Sequence, residues 1–290
     1  NYHFIEGDIQ DSKKIIDAII DFEPDSIINF AAESHVDRSI DGPKDFINTN
    51  IIGTYELLQA SLSYYQSLSI AMQKKFRLLH VSTDEVYGSL GKTGYFKETT
   101  PYAPSSPYSA SKASSDHLMK AWFHTFKLPI LITNCSNNYG PFQFPEKLIP
   151  LMIIKCLKKE SLPIYGDGKN IRDWIFVDDH CDAIFDVLMK GKSGESYNIS
   201  SNNEISNLEI VKSILKIMNK SEDLIEFVVD RPGHDFRYSL DSSKIKNELN
   251  WSTKFNFTRG IEHTINWYLE NSKWIDETNN PILNHMPWKN

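Results

Sequence analysis

Two short runs of residues carry groups from which an acid–base enzyme could be built. Asp84 and Glu85 stand side by side after Thr83, at the end of an apolar segment. Tyr108 and Lys112 stand four positions apart farther along the chain. On a helix these two positions share a face, so the ammonium would favour phenolate and lower the tyrosine pKa. Such a phenol can take a proton from a hydroxyl while a hydride leaves the same carbon.

Each motif alone also has a purely structural interpretation. A Tyr-x-x-x-Lys spacing arises by chance and lines many helices, and two acids in a turn are usually a cap or a solvated corner. Their order along the chain favours chemistry, because the acids follow a strand and the tyrosine opens a helix after the next loop. Ligands of open α/β sheets bind at the carboxyl ends of the strands. We therefore predict that both runs face one pocket.

Composition and charge exclude several classes of protein. The chain has 290 residues, 40% of them hydrophobic, which suffices for a large α/β domain with a smaller lobe. Its net charge of -7 argues against a nucleic-acid or membrane-surface partner. Cys135, Cys156 and Cys181 lack the spacing of a disulfide framework or metal site, so we expect no metal and free thiols in the cytoplasm. No apolar run is long enough to span a membrane, and no segment resembles a signal peptide.

Alternating strand and helix patterns predict an α/β protein with a doubly wound, Rossmann-like parallel sheet and a smaller mixed α/β substrate lobe. We predict the first domain at 1–137 and 174–200, and the lobe at 138–173 and 201–290. Asp178 and Asp179 are expected to cap a helix. The predicted strands of the front half are 4–9, 26–32, 78–82 and 129–134, and its predicted long helices are 48–65 and 108–126.

Basic residues on turns are candidates for binding a diphosphate. Arg172, Arg231 and Lys147 lie in separate segments of the predicted lobe. A lone arginine is usually a surface ion pair, whereas several on turns suit bidentate hydrogen bonding to phosphate.

His35 follows a predicted buried strand, where a structural role in a turn and a direct role in binding are both open.

These residues lie in segments that resemble the dTDP-glucose 4,6-dehydratases, extended members of the short-chain dehydrogenase/reductase superfamily. The resemblance covers nearly the whole chain in order. Thr83-Asp84-Glu85 is its most specific part, since related epimerases usually carry a Ser or Thr followed by small residues there. The segments that carry the resemblance are 31–40, 82–88, 102–117, 133–141, 144–150, 171–174 and 230–235.

The resemblance implies an NAD-dependent lyase of nucleotide-sugar metabolism. Tyr108, assisted by Lys112, would take the 4-hydroxyl proton of the glucose while the C4 hydride passes to NAD+. Glu85 would then remove the C5 proton, and Asp84 would protonate the departing 6-hydroxyl. Hydride return to C6 would give the 4-keto-6-deoxy sugar, with Thr83 hydrogen-bonded to the 4-oxygen. The two acids need opposite protonation states, which their surroundings can set.

The resemblance also implies binding residues and a homodimer joined through the helices 48–65 and 108–126. The residues that it assigns to NAD are Asp8, Ile9, Phe30, Ala31, Ala32, Ser34, Thr49, Tyr108, Lys112 and Asn138. Those that it assigns to the nucleotide sugar are Ser34, Thr83, Asn137, Lys147, Leu148, Pro163, Ile164, Tyr165, Arg172, Asn207, Arg231, Pro232, Gly233 and His234.

The sequence departs from the family pattern at its start. Family members open with a strand, a glycine-rich turn, a helix and a second strand, and no such segment is found here. We therefore expect an N-terminally truncated chain whose sheet lacks its first strand–helix–strand unit. Such a chain, on its own, is expected to bind NAD poorly and to fold poorly. Three alternatives remain open: a UDP-glucose 4,6-dehydratase, another nucleotide-sugar epimerase or decarboxylase, and an inactive dimerising fragment.

Overall fold

The structure is a computed structural model that describes residues 2–278. Nine strands are formed within this range: β1 (Ser26–Asn29), β2 (Arg77–Thr83), β3 (Ile130–Cys135), β4 (Asn137–Tyr139), β5 (Leu162–Tyr165), β6 (Ile171–Phe176), β7 (Ser196–Ile199), β8 (Glu204–Ser206) and β9 (Ile225–Val228). The α-helices of the same range are α1 (Ser12–Phe22), α2 (Val36–Asp41), α3 (Pro43–Phe46), α4 (Gly53–Ser67), α5 (Ile70–Gln73), α6 (Pro107–Phe126), α7 (Leu148–Lys158), α8 (Val177–Lys190), α9 (Asn207–Ile217), α10 (Ser243–Leu249), α11 (Phe257–Glu270) and α12 (Ser272–Thr278).

The central sheet is parallel throughout, with strand order β1-β2-β3-β7. Successive side chains of a strand point to opposite faces of the sheet, so consecutive residues of β2 and of β3 pack into two different apolar cores. Leu78 and Ile130 pack with α4 and α6 on one face, while Leu79 and Leu131 pack with α8 and α10 on the other. Helices thus cover both faces, and the predicted doubly wound, Rossmann-like α/β class is confirmed.

A second group of elements surrounds a separate apolar core. The sheets β4-β6-β8 and β5-β9 pack against α7, α9 and α11. Trp174 and Phe176 of β6 belong to this core, as do Ile210 and Ile214 of α9. The boundaries at 1–137 with 174–200 and 138–173 with 201–290 stay a prediction, and residues 279–290 lie outside the described part of the chain.

The opening strand predicted at 4–9 is wrong. Residues 2–8 have no regular structure, and Phe4 is 70% exposed. An apolar run becomes a strand when a neighbouring strand completes its hydrogen-bond ladder, and within residues 2–278 no strand lies alongside this one. Regular structure begins after this segment, where Asp11 caps α1 by accepting a hydrogen bond from the amide of Lys14.

The start of α6 is defined by its own sequence. Ser106 is the N-cap in a capping box with Ser109, and Pro107 occupies the first helical position. Tyr108 and Lys112 therefore lie in the first two turns of a 20-residue helix.

The predicted capping role of Asp178 and Asp179 is wrong, since α8 begins one residue earlier and both acids lie in its first turn. There they still favour the helix through its dipole.

The predicted helix at 48–65 contains a local irregularity. Residues Ile47–Ile52 form a π-helical segment that continues into α4. Sequence pattern does not distinguish this wider turn from an α-helix. No helix within residues 2–278 is long and apolar enough to cross a bilayer.

Candidate active site

Thr83, Asp84 and Glu85 lie at the carboxyl end of β2, between the ends of β1 and β3. The chain turns there into a single 3₁₀ turn over Asp84–Tyr87. The Thr83 hydroxyl accepts a hydrogen bond from the amide of Glu85 and donates one to Oδ1 of Asp84, both at 3.3 Å. The threonine thereby orients both acids, which follow it directly.

Asp84 is held in a setting that favours its protonated form. The residue is 2% exposed, and its Oδ2 is buried without a hydrogen-bond partner. Burial, reinforced by the neighbouring charge of Glu85, raises the pKa of Asp84 well above its ordinary value, while Arg172 opposes the rise. A carboxyl that keeps its proton near neutral pH can act as a general acid.

Glu85 is half-buried and lines a cavity. Burial raises the pKa of its carboxyl too, but three cations oppose the rise: Arg231, Arg172 and Lys147. Asp84 has a single opposing cation and the larger rise. The surroundings of the two acids therefore separate their affinities for a proton in the direction that an acid and a base require.

Tyr108 is 8% exposed, and of the two runs that were predicted to face one pocket only Glu85 lines the cavity. Burial raises the pKa of its phenol well above 10.0, Glu85 adds to the rise, and a hydrogen bond with Thr83 opposes it. The ammonium of Lys112 instead donates to the carbonyl of Val81 at 2.8 Å. The expectation that Lys112 sets the pKa of Tyr108 is therefore wrong for this structure, because the lysine head group turns toward the strand and burial dominates.

The cavity next to Glu85 has a volume of about 620 Å³. This is within the range of small-molecule sites, about 300–1,000 Å³. Three residues assigned to the sugar nucleotide do not line it: Thr83 is buried behind Glu85, and Pro232 and Gly233 are exposed on a turn. The other assigned residues line its wall: Ser34, Asn137, Lys147, Leu148, Pro163, Ile164, Tyr165, Arg172, Asn207, Arg231 and His234.

Three cations converge on this wall from different elements. Arg172 is 5% exposed, lies 4.3 Å from the ring centre of Tyr238 and donates to the carbonyl of Asp235 at 3.0 Å. Lys147 donates to the carbonyl of Ser34 at 2.8 Å. The Nε of Arg231 is buried without a partner. Guanidinium groups fixed in this way suit an anionic ligand such as a diphosphate.

Sequence reasoning missed several residues of the wall, of which Asp37 is the most important. Its carboxylate accepts hydrogen bonds from Arg231 at 3.2 Å and from the hydroxyl of Tyr165 at 3.0 Å. The available signal was its place in the first turn of α2, next to His35. Burial lowers the pKa of His35, and its Nε2 lies 3.4 Å from the carbonyl of Glu146, which supports a structural role.

The residues assigned to NAD are divided between buried and exposed places. Tyr108 and Lys112 are buried, and Asn138 offers a buried Oδ1 that has no hydrogen-bond partner. That free acceptor and the ammonium of Lys112 suit the amide and hydroxyl groups of a dinucleotide. Asp8, in contrast, accepts from the amide of Gln10 at 2.8 Å and closes its own turn. Of the other residues assigned to NAD, Ile9 packs its side chain against Gly53. Phe30, Ala31 and Ser34 are exposed, and Ala32 and Thr49 are half-buried.

Comparison with known proteins supports the family suggested by these residues. Residues 1–264 match the family model described as GDP-mannose 4,6 dehydratase. The dTDP-glucose 4,6-dehydratase of Xanthomonas campestris is 54% identical over 281 residues, which cover 94% of this chain and 80% of the relative.

Two solved structures are also similar to the chain. The dTDP-glucose 4,6-dehydratase of Bacillus anthracis, in complex with NAD, is 47% identical with a TM-score of 0.86, covering 96% of this chain and 83% of that one. The Streptomyces venezuelae enzyme of the same name, also with NAD bound, is 43% identical with a TM-score of 0.89, covering 95% and 82%. With such identity over most of both lengths, this chain belongs to the dTDP-glucose 4,6-dehydratase family.

Proposed function

We propose that this protein converts dTDP-glucose to dTDP-4-keto-6-deoxyglucose with NAD as a bound cofactor. One observation carries the proposal: Asp84 and Glu85 stand together at the end of β2, next to Tyr108, with proton affinities separated in the direction that water elimination requires. An epimerase has no task for such an acid pair. The similarity to dTDP-glucose 4,6-dehydratases supports the same substrate.

Oxidation at C4 is the first step of the proposed reaction. Tyr108 takes the proton of the 4-hydroxyl. The Thr83 hydroxyl, which donates to Oδ1 of Asp84 in the described structure, would turn from that carboxyl to donate to the 4-oxygen. Bound NAD would supply the hydride acceptor for C4 and the hydride donor for C6. Tyr108, Lys112 and Asn138 are proposed to hold it, together with the other NAD residues assigned from the sequence. Because burial raises the pKa of Tyr108, the phenol needs further positive charge in the complete complex to act as a base near neutral pH.

Elimination of water follows from the acidity of C5 beside the new ketone. Glu85 takes the C5 proton, and Asp84 gives its proton to the 6-hydroxyl, so the C6–O bond breaks and water leaves. The carboxyl that faces three cations acts as the base, and the more deeply buried carboxyl acts as the acid. When the hydride returns to C6, Glu85 gives its proton back to C5 and is a carboxylate again. Tyr108 is then left protonated and Asp84 ionised, so the phenol must lose one proton and Asp84 must regain one before the next turnover.

The nucleotide is proposed to bind along the cationic wall of the cavity. Arg172, Arg231 and Lys147 come from three separate elements, which fits a diphosphate that spans them. Arg231 pairs with Asp37 in the described structure, so a phosphate would compete with that carboxylate for the guanidinium. The other predicted sugar-nucleotide residues are proposed as contacts of the same ligand.

A homodimer is part of the proposal. Ile52 and Tyr55 are 44% and 39% exposed where the π-helical segment enters α4, and Phe126 is 44% exposed at the end of α6. Tyr55 also contacts Trp122 edge-on at 6.1 Å, so the two helices present one continuous apolar surface. A second copy that covers this surface would explain it.

We also propose a cytoplasmic location, which agrees with free thiols at all three cysteines.

The test is product formation with two substrates. The purified full-length protein is incubated with dTDP-glucose or UDP-glucose, and the alkali-dependent absorbance of a 4-keto-6-deoxy sugar is followed. We expect product with dTDP-glucose, and its loss in Glu85→Gln but not in Glu222→Gln, a change at an ion pair whose two side chains are exposed. Product with UDP-glucose alone, an epimerised sugar without loss of water, or no turnover with either would contradict the proposal.

A further inference from the structure

A cluster of buried polar groups lies beside Lys112, outside the lining of the cavity, and the proposed mechanism does not use it. His80 on β2 is 1% exposed, and Asp116 on α6 is fully buried. The Nε2 of His80 lies 3.4 Å from Nζ of Lys112 and 3.5 Å from Oδ1 of Asp116. The imidazole thus lies between the lysine and the acid.

The hydrogen bonds of Asn29 determine which nitrogen of His80 carries the proton. The Oδ1 of Asn29 accepts from the amide of Ala31 at 3.1 Å, so its Nδ2 faces Nδ1 of His80, also at 3.1 Å. An amide nitrogen only donates, so Nδ1 of His80 must accept. A neutral imidazole then carries its proton on Nε2, the nitrogen that faces Lys112 and Asp116.

This arrangement brings two hydrogen-bond donors together at Nε2. The protonated Nε2 and the ammonium of Lys112 both need an acceptor. Lys112 has the carbonyl of Val81 at 2.8 Å. Oδ1 of Asp116 is buried without a hydrogen-bond partner and lies 3.5 Å from Nε2 of His80, so it is the free acceptor that faces the imidazole. The other oxygen, Oδ2, is already occupied by the hydroxyls of Ser82 at 2.8 Å and Tyr102 at 2.9 Å.

Few charged or titratable groups act on Lys112 in the described part of the chain. They are Asp116 from its own helix, His80 from β2 and Cys135 from β3. Burial lowers the pKa of Lys112, and Asp116 is the largest cause that opposes the change. Burial also raises the pKa of Asp116, and Lys112 is the largest cause that opposes that rise, so each charge supports the other. The charge of Lys112 in turn lowers the pKa of His80, which keeps the imidazole neutral.

We propose that Asp116 is a positioning residue that acts through His80 to keep the side chain of Lys112 charged and directed at the carbonyl of Val81. The charge of the carboxylate balances that of the buried ammonium. The neutral imidazole lies between the two groups and keeps the lysine side chain in its orientation. Neither residue touches substrate in this role. The inference deepens the proposed function and rests on it, because Lys112 is one of the residues proposed to hold NAD.

The proton on Lys112 can be measured without any turnover. The full-length protein is labelled with ¹³Cε-lysine, the Lys112 signal is identified by its loss in Lys112→Arg, and its chemical shift is followed against pH. In Asp116→Asn, which keeps the side-chain volume and loses the charge, we expect the Lys112 pKa to fall by about one unit, a tenfold weaker affinity for the proton. The matched control is Asp179→Asn, which removes another buried carboxylate that accepts from the amides of Lys254 and Phe255.

Activity supplies a second measurement. If Asp116→Asn acts through Lys112, its turnover recovers as the pH is lowered, whereas a merely damaged fold would not recover. An unchanged Lys112 titration in Asp116→Asn, or an equal fall in Asp179→Asn, overturns the proposal. Because the titration needs no substrate, the role of Asp116 can be refuted while the proposed reaction is supported. The proposed reaction can likewise be refuted while the role of Asp116 is supported.

The wild-type protein offers a test that does not depend on a variant folding. The ¹⁵N shifts of the His80 imidazole report its protonation and tautomer directly. We expect a neutral ring protonated on Nε2 through the neutral pH range. A ring protonated on Nδ1, or one that is positively charged near pH 7, would contradict the proposed coupling between Asp116 and Lys112.

Discussion

Replacing Asp84 by Asn separates the elimination of water from the oxidation that precedes it. The amide keeps nearly the same volume at a site that is 2% exposed, but it cannot give a proton to the 6-hydroxyl. Tyr108 and Thr83, which are proposed to carry the oxidation, stay in place. We expect Asp84→Asn to form the 4-keto sugar and to stall before water leaves.

The size of the loss follows from the isolation of Asp84. Its Oδ2 has no hydrogen-bond partner, and the neighbouring acid Glu85 is engaged as the base at C5, so no hydrogen-bonded group is in place to supply the missing proton. General acid catalysis contributes about 10²–10⁴-fold, and we expect turnover to fall by about 10³-fold, or roughly 4 kcal/mol in the barrier. Glu85→Gln should cause a similar fall, because the elimination needs both groups.

Stability should change in the opposite direction to activity. The pKa of Asp84 is 3.8 in a model peptide and well above that value in the folded chain, so the folded state binds the proton more tightly than the unfolded state. Asp84 therefore destabilises the fold increasingly as pH rises above about 3.8 toward the folded pKa. Relative to the parent, Asp84→Asn should gain stability as pH rises through this window, as measured by urea unfolding at several pH values.

The assay follows reduced cofactor and product on the same enzyme. After rapid mixing with dTDP-glucose, reduced nicotinamide is read at its absorbance band, and the 4-keto-6-deoxy product is read after alkali treatment. We expect Asp84→Asn to accumulate reduced cofactor with little product. Turnover within tenfold of the parent, or equal loss of oxidation and elimination, would refute the assignment of Asp84 as the acid.

Three further outcomes are expected. Tyr108→Phe should abolish the appearance of reduced cofactor, by about 10²–10⁴-fold, because the base for the 4-hydroxyl is gone; a normal oxidation rate would be inconsistent with that role. Gly260→Ala would place a methyl group 2.2 Å from the hydroxyl oxygen of Tyr139 in a closed core, so the free energy of unfolding in urea should fall by about 1–3 kcal/mol. Iodoacetamide at pH 8 should label exposed Cys181 well before Cys135, because burial raises the pKa of the Cys135 thiol to about 12; equal labelling in a mass-spectrometric time course would contradict this.

Local pattern was sufficient for most of the elements near the site. The apolar run before Thr83 predicted a strand at 78–82, and β2 extends over Arg77–Thr83. The sequence predicted a helix that opens at Tyr108 after a loop, and α6 begins at Pro107 with Ser106 as its cap. These signals are local, because a cap, a proline and a two-residue alternation act on their own neighbours.

The opening segment shows where local pattern is not enough. Phe4 and Ile5 have strand-like neighbours in sequence, yet residues 2–8 remain irregular. A strand is defined by hydrogen bonds to another strand, and such a partner is a property of the whole sheet. The same limit applies to the π-helical segment at Ile47–Ile52, whose wider turns depend on tertiary packing.

The sequence by itself determined which chemical groups are present and the order in which they reach the end of the sheet. The acid pair after β2 and the Tyr–Lys spacing in α6 could be interpreted directly, since strand ends and helix faces follow from residue spacing. Tertiary structure alone decided the proton affinities. Whether Asp84 or Glu85 meets more cations, and whether Lys112 faces a phenol, a carbonyl or a buried histidine, depends on groups that are distant in sequence, because charges and desolvation act through space rather than along the chain.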